Sequence, residues 1–327
     1  MLIRIFYSFL FVIALPEAFA ADLPGIPEFI DEMVAKHHFK RDELVKVFEQ
    51  AQYRQDVIDA MNTPATLKPW LEYRATFIDQ KRIDGGIKFW RKHAETLARA
   101  TKMYGVPQEI IVAVIGVETM YGKNAGNYRT LDALTTLTFN YPRRVDFFRA
   151  ELEQYLLLAR EQGFNLLSIK ASYAGALGIP QFMPSSYRKH AVDFDADGTI
   201  DLMKGAEDAI GSVANYLKQY GWKADEQVAV RAKIDNESRP NDVGAARSIA
   251  AWEALGVTPL GNFDDAVYAY LLDFTLPDGK EYWLGFNNFA VITTYNNSSY
   301  YAMTVYQLAL ELRKKGQRYG LSRRAPL

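Results

Sequence analysis

Between Pro107 and Gly122 (PQEIIVAVIGVETMYG) the chain has almost no polar face. Ile110, Ile111, Val112, Val114, Ile115 and Val117 leave little for water, the pattern of a helix buried on all sides. Pro107 suits the first helical position, where its missing N–H would be unpaired anyway. Gly122 suits the stop. Ile111, Val114, Ile115 and Glu118 stand at i, i+3, i+4 and i+7, so Glu118 shares a face with core side chains. Burial disfavours the charged form of such a carboxylate, and so does the negative end of the helix dipole. Both raise its pKa, as a general acid requires. A structural reading competes, in which a buried Glu pairs with an arginine or caps the backbone.

Helical spacing also predicts helices over Pro27–Lys36, Arg41–Gln52, Pro69–Ile78 and Ile83–Tyr104, with Asn62-Thr63-Pro64 as a break. Residues 21–104 are read as an N-terminal α lobe. A Thr-rich helix over Asn127–Asn140 leads to Tyr141-Pro142-Arg143-Arg144, then to an amphipathic helix over Asp146–Gln162. Two arginines at a helix start oppose the positive end of the dipole. They are either a guanidinium pair for an anionic ligand or a solvated turn. Ser168–Tyr187 differs in kind, mixing Gly175, Gly178, Pro180 and Pro184 with Gln181-Phe182-Met183. Its glycines allow close approach of a ligand or of another element.

Period-2 alternation marks Gln227–Lys233 as a strand. Asp265–Phe274 and Glu281–Phe286 read as strands around the turn Pro277-Asp278-Gly279. Pro240–Gly261 reads as loops with one short helix. Residues 223–288 are therefore expected as a small β subdomain inserted between helical parts 105–222 and 289–316. Tyr300–Lys315 is the final helix, and 317–327 a basic tail. The fold class is mainly α (α+β).

Asp193–Lys204, DFDADGTIDLMK, has the spacing of an EF-hand loop. Asp193, Asp195 and Asp197 occupy positions 1, 3 and 5, Gly198 the sharp turn, and Thr199 offers its carbonyl at 7. Hard oxygen ligands at this spacing suit Ca²⁺. Position 12 is Lys204 instead of Glu, so a closing carboxylate must come from Glu207 or Asp208. That departure favours a structural site over a sensor. The alternative is an Asp-rich solvated turn.

Composition narrows the partners. The 327 residues carry 38 basic and 39 acidic side chains, so there is no basic field for nucleic acid. Cysteine is absent, which excludes disulfides, thiol catalysis and a lipidated N-terminal Cys. The four histidines, His37, His38, His93 and His190, form no zinc-ligand pattern. The 20 Tyr, 19 Phe and 5 Trp suit either a core or a binding cleft. At the N-terminus, Arg4, the apolar run Ile5–Leu15 and Ala18-Phe19-Ala20 read as a cleavable signal peptide, 1–20. No later stretch is long enough for a bilayer span of about 20 residues. The expectation is a periplasmic, non-lipidated protein.

Several motifs then agree in order and separation: GVETMYG at 116–122, YPRR at 141–144, SYAGALGIPQFMPSSY at 172–187, the DxDxDG loop, and TTYNNSSYYAM at 293–303. Together they resemble the lytic murein transglycosylase B family, over about Leu23–Leu312. The resemblance implies a lysozyme-like helical core with an extra α lobe and a β subdomain. It implies cleavage of the β-1,4 MurNAc–GlcNAc bond of peptidoglycan without water, leaving 1,6-anhydro ends. Glu118 would be the one catalytic carboxylate, acid first and base second. Ser172 and Gln181 would be polar partners of the sugar N-acetyl group. Phe182, Met183, Tyr216, Tyr295 and Tyr301 would wall the cleft, with Asn296 as a hydrogen-bonding neighbour. Arg143 and Arg144 would face a stem-peptide or lactyl carboxylate. Asp193, Asp195, Asp197, Thr199 and Asp208 would hold Ca²⁺ or Na⁺ in a structural role, no cofactor being needed for the chemistry. Peptidoglycan strands with stem peptides are the expected partner of a monomer. Family members named as membrane-bound carry a lipidated Cys that this chain lacks. A hydrolytic muramidase on the same fold and a non-catalytic wall-binding protein are the competing readings.

Overall fold

The structure, a computed structural model, describes residues 24–63, 68–235 and 243–321. The expected signal peptide, the break at Pro64, the start of the loop at Pro240 and most of the tail lie outside the described residues. The described chain opens with α1 (Ile26–His37), α2 (Arg41–Phe48) and α3 (Gln55–Asn62). Then come α4 (Trp70–Phe77), α5 (Gln80–Lys92), α6 (Ala94–Tyr104) and the apolar helix α7 (Gln108–Thr119). The short strands β1 (Tyr128–Arg129) and β2 (Lys170–Ala171) pair antiparallel around α8 (Thr130–Asn140) and α9 (Val145–Gln162). α10 (Pro184–His190) and α11 (Ala206–Gln219) follow.

The inserted segment forms β3 (Ala229–Ile234), β4 (Ala246–Ser248), α12 (Ile249–Glu253), β5 (Val257–Pro259), β6 (Tyr268–Leu276) and β7 (Gly279–Gly285). These strands make one antiparallel sheet in the order β4-β6-β7-β3-β5. α13 (Asn287–Tyr295) and α14 (Ser299–Gln317) return to the helical body. The fold is mainly α with a small antiparallel sheet, as the periodicity predicts. The short strands β4 and β5 fall where only loops and a helix were expected, because three residues carry no readable alternation.

α7 is the axis of the main core. Every residue from Ile110 to Val117 is buried, and α5, α6, α11 and α14 all pack on it. An all-apolar helix can satisfy its surface only by being enclosed in this way. Pro107 caps the helix from outside, with extended backbone, instead of forming its first turn.

The helices of 21–104 divide between two cores. α1 to α3 share one with α8 and α9, through Phe29, Phe48, Leu134 and Phe148. Trp70, Trp90 and Leu97, from α4 to α6, belong to the main core around α7. The long helix expected over Ile83–Tyr104 is interrupted at His93. A third core lies under the sheet, where Trp252 packs with Leu271 and Leu284. Among the described residues no helix is long and apolar enough to cross a membrane.

Candidate active site

Glu118 lies in the last turn of α7, half-buried. Helix and site part immediately after it. Met120, Tyr121 and Gly122 all have positive φ, at 52°, 65° and 83°, so the helix stops before the predicted glycine. Left-handed backbone is unfavourable for Met and Tyr, and the surroundings hold it in place. The Tyr121 hydroxyl donates to Arg82 O at 2.9 Å, and its ring stacks on Phe89. The slot for that ring exists because positions 86 and 116 are glycine. A Cβ at Gly116 would stand 2.7 Å from the Tyr121 oxygen, and one at Gly86 2.5 Å from it.

Thr119 ties the helix end to the glycine-rich segment. Its hydroxyl donates to Ile179 O at 2.8 Å and accepts from Gly122 N at 2.9 Å. The same segment is held from the other side by Ile179 N donating to Leu202 O at 2.8 Å. Gly178 must be glycine, since it has φ +68° and an added Cβ would meet Leu202 O at 2.2 Å.

Tyrosines close on the acid. The Tyr301 hydroxyl donates to Glu118 Oε1 at 2.5 Å. The Tyr301 ring stacks on Tyr295, 6.2 Å between centroids and 10° between planes. The Tyr295 hydroxyl donates to Pro180 O at 2.5 Å, and that of Tyr216 to Thr294 O at 2.6 Å. Burial raises the Glu118 carboxyl to about 7, against a smaller downward pull from the Tyr301 hydroxyl. Burial and then the Glu118 charge push the Tyr295 and Tyr301 hydroxyls well above the usual tyrosine range. The same two causes raise Tyr73 to about 12.

Other expected residues occupy different places. Phe182 and Tyr216 are buried, not open walls. They pack on Tyr295, with centroids 5.8 and 4.8 Å away, and so support that ring from behind. The Gln181 amide donates to Ala125 O at 3.1 Å and Gly178 O at 2.9 Å from a backbone with φ 53°. The Ser172 hydroxyl accepts from Ala176 N at 3.1 Å. Met183 is half-buried against the α8–α9 core, and Asn296 is exposed just after α13. Arg143 and Arg144 are exposed in a short 3-10 turn before α9. The Arg144 guanidinium lies 4.0 Å over the Phe147 ring.

The acidic loop brings Asp193, Asp195 and Asp197 together, with ligand oxygens all within 4.8 Å of one another. A set of carboxylate oxygens at that spacing fits a hard cation. Its own amides shape it. Gly198 N donates to Asp193 Oδ2 at 2.9 Å, and Thr199 N and its hydroxyl to Asp197 Oδ1 at 2.8 and 2.7 Å. Asp208 stands apart from this cluster. It is buried, and its two oxygens accept from Phe194 N at 2.7 Å and Asp201 N at 2.8 Å. It braces both ends of the loop from beneath. Glu207 faces His93 Nδ1 at 3.0 Å. Neither closing carboxylate weighed from the sequence joins the three aspartates.

Thr119, Tyr121 and Tyr73 were missed by reading the sequence. Thr119 and Tyr121 sit inside the motif around Glu118, which was the one signal available. Tyr73 comes from a different helix and had none.

Comparison with known proteins agrees with this geometry. The family described as Transglycosylase SLT domain matches residues 22–310. The membrane-bound lytic murein transglycosylase B of Escherichia coli (strain K12) is 45% identical over 298 residues, covering 88% of this chain and 82% of that protein. The crystal structure of a soluble lytic transglycosylase from Pseudomonas aeruginosa is similar with a TM-score of 0.85 at 48% identity, covering 90% of this chain and all of that one. An Escherichia coli lytic transglycosylase solved in complex with calcium gives a TM-score of 0.84 at 44% identity, covering 90% and 94%. By sequence over nearly its whole described length and by fold, the chain belongs to the transglycosylase SLT family.

Proposed function

We propose that this chain is a lytic transglycosylase, cleaving the β-1,4 bond between N-acetylmuramic acid and N-acetylglucosamine in peptidoglycan without consuming water. One observation carries the reading: Glu118 is a carboxyl raised by burial to about 7, with one oxygen held by Tyr301. Near neutral pH such a group donates and recovers a proton with little driving force lost in either direction. In the first step it gives its proton to the glycosidic oxygen as the C1–O4 bond breaks. In the second, as carboxylate, it takes the proton from the muramyl C6 hydroxyl as O6 bonds to C1. No water enters and a 1,6-anhydro ring closes.

Most glycosidases set two carboxylates across the bond. Here the side chains whose pKa rises with the Glu118 charge are tyrosines: Tyr73, Tyr295 and Tyr301. That supports a single-carboxylate reaction in which the sugar's own N-acetyl group assists at C1. Tyr295 offers a flat apolar face to a pyranose ring, with Asn296 next to it in the chain, and Met183 is assigned to the cleft wall. Ser172 and Gln181 are assigned to the N-acetyl region, and Arg143 and Arg144 to a peptide or lactyl carboxylate.

The same reading makes Asp193, Asp195 and Asp197, with the Thr199 carbonyl, the ligands of a structural Ca²⁺. Such an ion would neutralise the carboxylates and pin the loop behind Ile179. The work of the chain is assigned to the periplasm, after removal of residues 1–20, as a monomer. The helical parts 105–222 and 289–316 would form the catalytic body, with 223–288 as its β subdomain.

The test is mass spectrometry of fragments released from purified sacculi by the mature protein. Fragments with 1,6-anhydromuramyl ends, one water lighter than hydrolysis products, are expected. Reducing ends would make the chain a hydrolase. Binding without fragments would make it a wall-binding protein.

A further inference from the structure

Three elements meet at a cleft of about 390 Å³, and none of its polar groups belongs to the Glu118 site. From α4 come Trp70 and Arg74, one helical turn apart. From α14 come Gln307 and Glu311, with the same spacing. From the sheet come Arg231 and Trp283, directly paired across β3 and β7, and Glu281, two residues along β7 on the same face.

Part of this polar set is already satisfied. Glu281 accepts from Arg231 at 3.0 Å with one oxygen and from Trp70 Nε1 at 3.1 Å with the other. Arg74 Nε donates to Gln307 Oε1 at 2.5 Å. Three groups are left over among the described residues. Trp283 is 7% exposed, and its buried Nε1–H has no partner. The terminal nitrogens of Arg74 make no hydrogen bond. The half-buried Glu311 carboxylate has no ion pair. A buried donor without a partner is costly and rare in native proteins. Arg74, a donor able to take a carboxylate, therefore lines one small cleft with an acceptor able to take an ammonium.

We infer that this cleft binds a dipolar amino-acid end, with its carboxylate on Arg74 and its ammonium on Glu311. In peptidoglycan that chemistry is carried by the free end of the diamino acid in an uncross-linked stem peptide, an identification that rests on the function proposed above. The site would let the protein sense uncross-linked strands at a distance from the bond it cuts.

The probe is meso-diaminopimelic acid, titrated into the full mature chain with tryptophan fluorescence and calorimetry as readouts. Trp70 and Trp283 both line the cleft, so saturable binding changes their emission. N-acetylating both amines of the probe, or esterifying both carboxylates, should abolish the signal. Glu311→Gln and Arg74→Gln should each weaken binding about tenfold, the loss of one charge-assisted contact, with Glu311→Gln melting as the wild type does. Trp283→Phe should remove most of the emission change. The absence of saturable binding in the millimolar range would overturn the inference. So would acetylated probe binding as well as the free amine, or Glu311→Gln binding unchanged. The readout is independent of catalysis. A chain that yields no anhydro product can still show zwitterion-selective binding, and an active enzyme can fail to show it.

Discussion

Glu118 and the loop of Asp193, Asp195 and Asp197 put one functional group to opposite uses. Glu118 ends an apolar helix and meets a single tyrosine hydroxyl, and burial keeps its proton on until about pH 7. The aspartates lie at the surface and accept hydrogen bonds from the amides of their own turn. The Thr199 hydroxyl and amide hold Asp197 below the usual carboxylate range. Asp195 is raised, by lost hydration within the loop first and by the charges of Asp208 and Asp197 after it, a crowding that a bound cation would relieve. Side-chain type is shared between the two regions. Solvation and neighbours decide whether a carboxyl serves as proton donor or cation ligand.

The two regions are also joined. Leu202, at the end of the acidic loop, holds Ile179, and Ile179 holds Thr119 beside Glu118. Order in the loop therefore reaches the acid through one peptide segment.

The sharpest way to break the contrast is Glu118→Gln. An amide cannot cycle a proton, so fragment release from sacculi should fall by about 10²–10⁴-fold, with circular dichroism unchanged. Near-normal release would make Glu118 a structural carboxylate like Asp208. Next in size is Asp208→Ala, which strips two backbone amides of a buried charged partner and should cost about 3 kcal/mol. Thermal melts should show that loss with chelator as well as with calcium. Asp195→Ala should matter only with calcium present. If both variants respond to calcium alike, Asp208 is a ligand as well as a brace.

Calcium itself should stabilise the wild type by about 2.7 kcal/mol at a hundred times its dissociation constant, several degrees in Tm. A melt that chelator leaves unmoved would reduce the loop to a solvated turn.

Smaller again is the effect of pH on stability through Glu118. Its folded pKa, about 7, lies above the ordinary 4.5. Below 4.5 both folded and unfolded chains hold the proton. Between 4.5 and about 7 only the folded chain does, so this group's contribution falls as pH rises through that window. Above pH 7 Glu118→Gln should then be more stable than wild type, by at most about 3 kcal/mol and by less once partial solvent screening is counted. Denaturant melts at pH 4 and pH 8 give the difference, and an identical offset at both would contradict the raised pKa. Tyr301→Phe has the mildest expected effect. It removes the contact that lowers Glu118, so the alkaline limb of the pH–rate profile should move up, with a rate loss of about tenfold or less.

Much of this was readable from local pattern. α7, α9 and α14 follow the apolar periodicity to within a few residues. The acidic loop is legible because carboxylates at positions 1, 3 and 5 are close in sequence as well as in space. Backbone conformation was less legible. Nothing in the letters Met120 and Tyr121 announces left-handed φ. It follows from the slot that Gly86 and Gly116, thirty residues apart, leave for one ring.

By itself, then, the sequence determined the helical body, the inserted sheet, the placement of one carboxyl on an apolar face, and the family. These depend on spacing within single elements, where 3.6- and 2-residue periods relate neighbours directly. Tertiary structure alone decided that Tyr301, 183 residues on, grips Glu118, that Phe182 and Tyr216 back the Tyr295 ring from inside, and that Asp208 spends both oxygens on the backbone. It also divided residues 21–104 between two cores. Each outcome is a contact between elements distant in the chain, set by which faces can be buried together, and no local period encodes that choice.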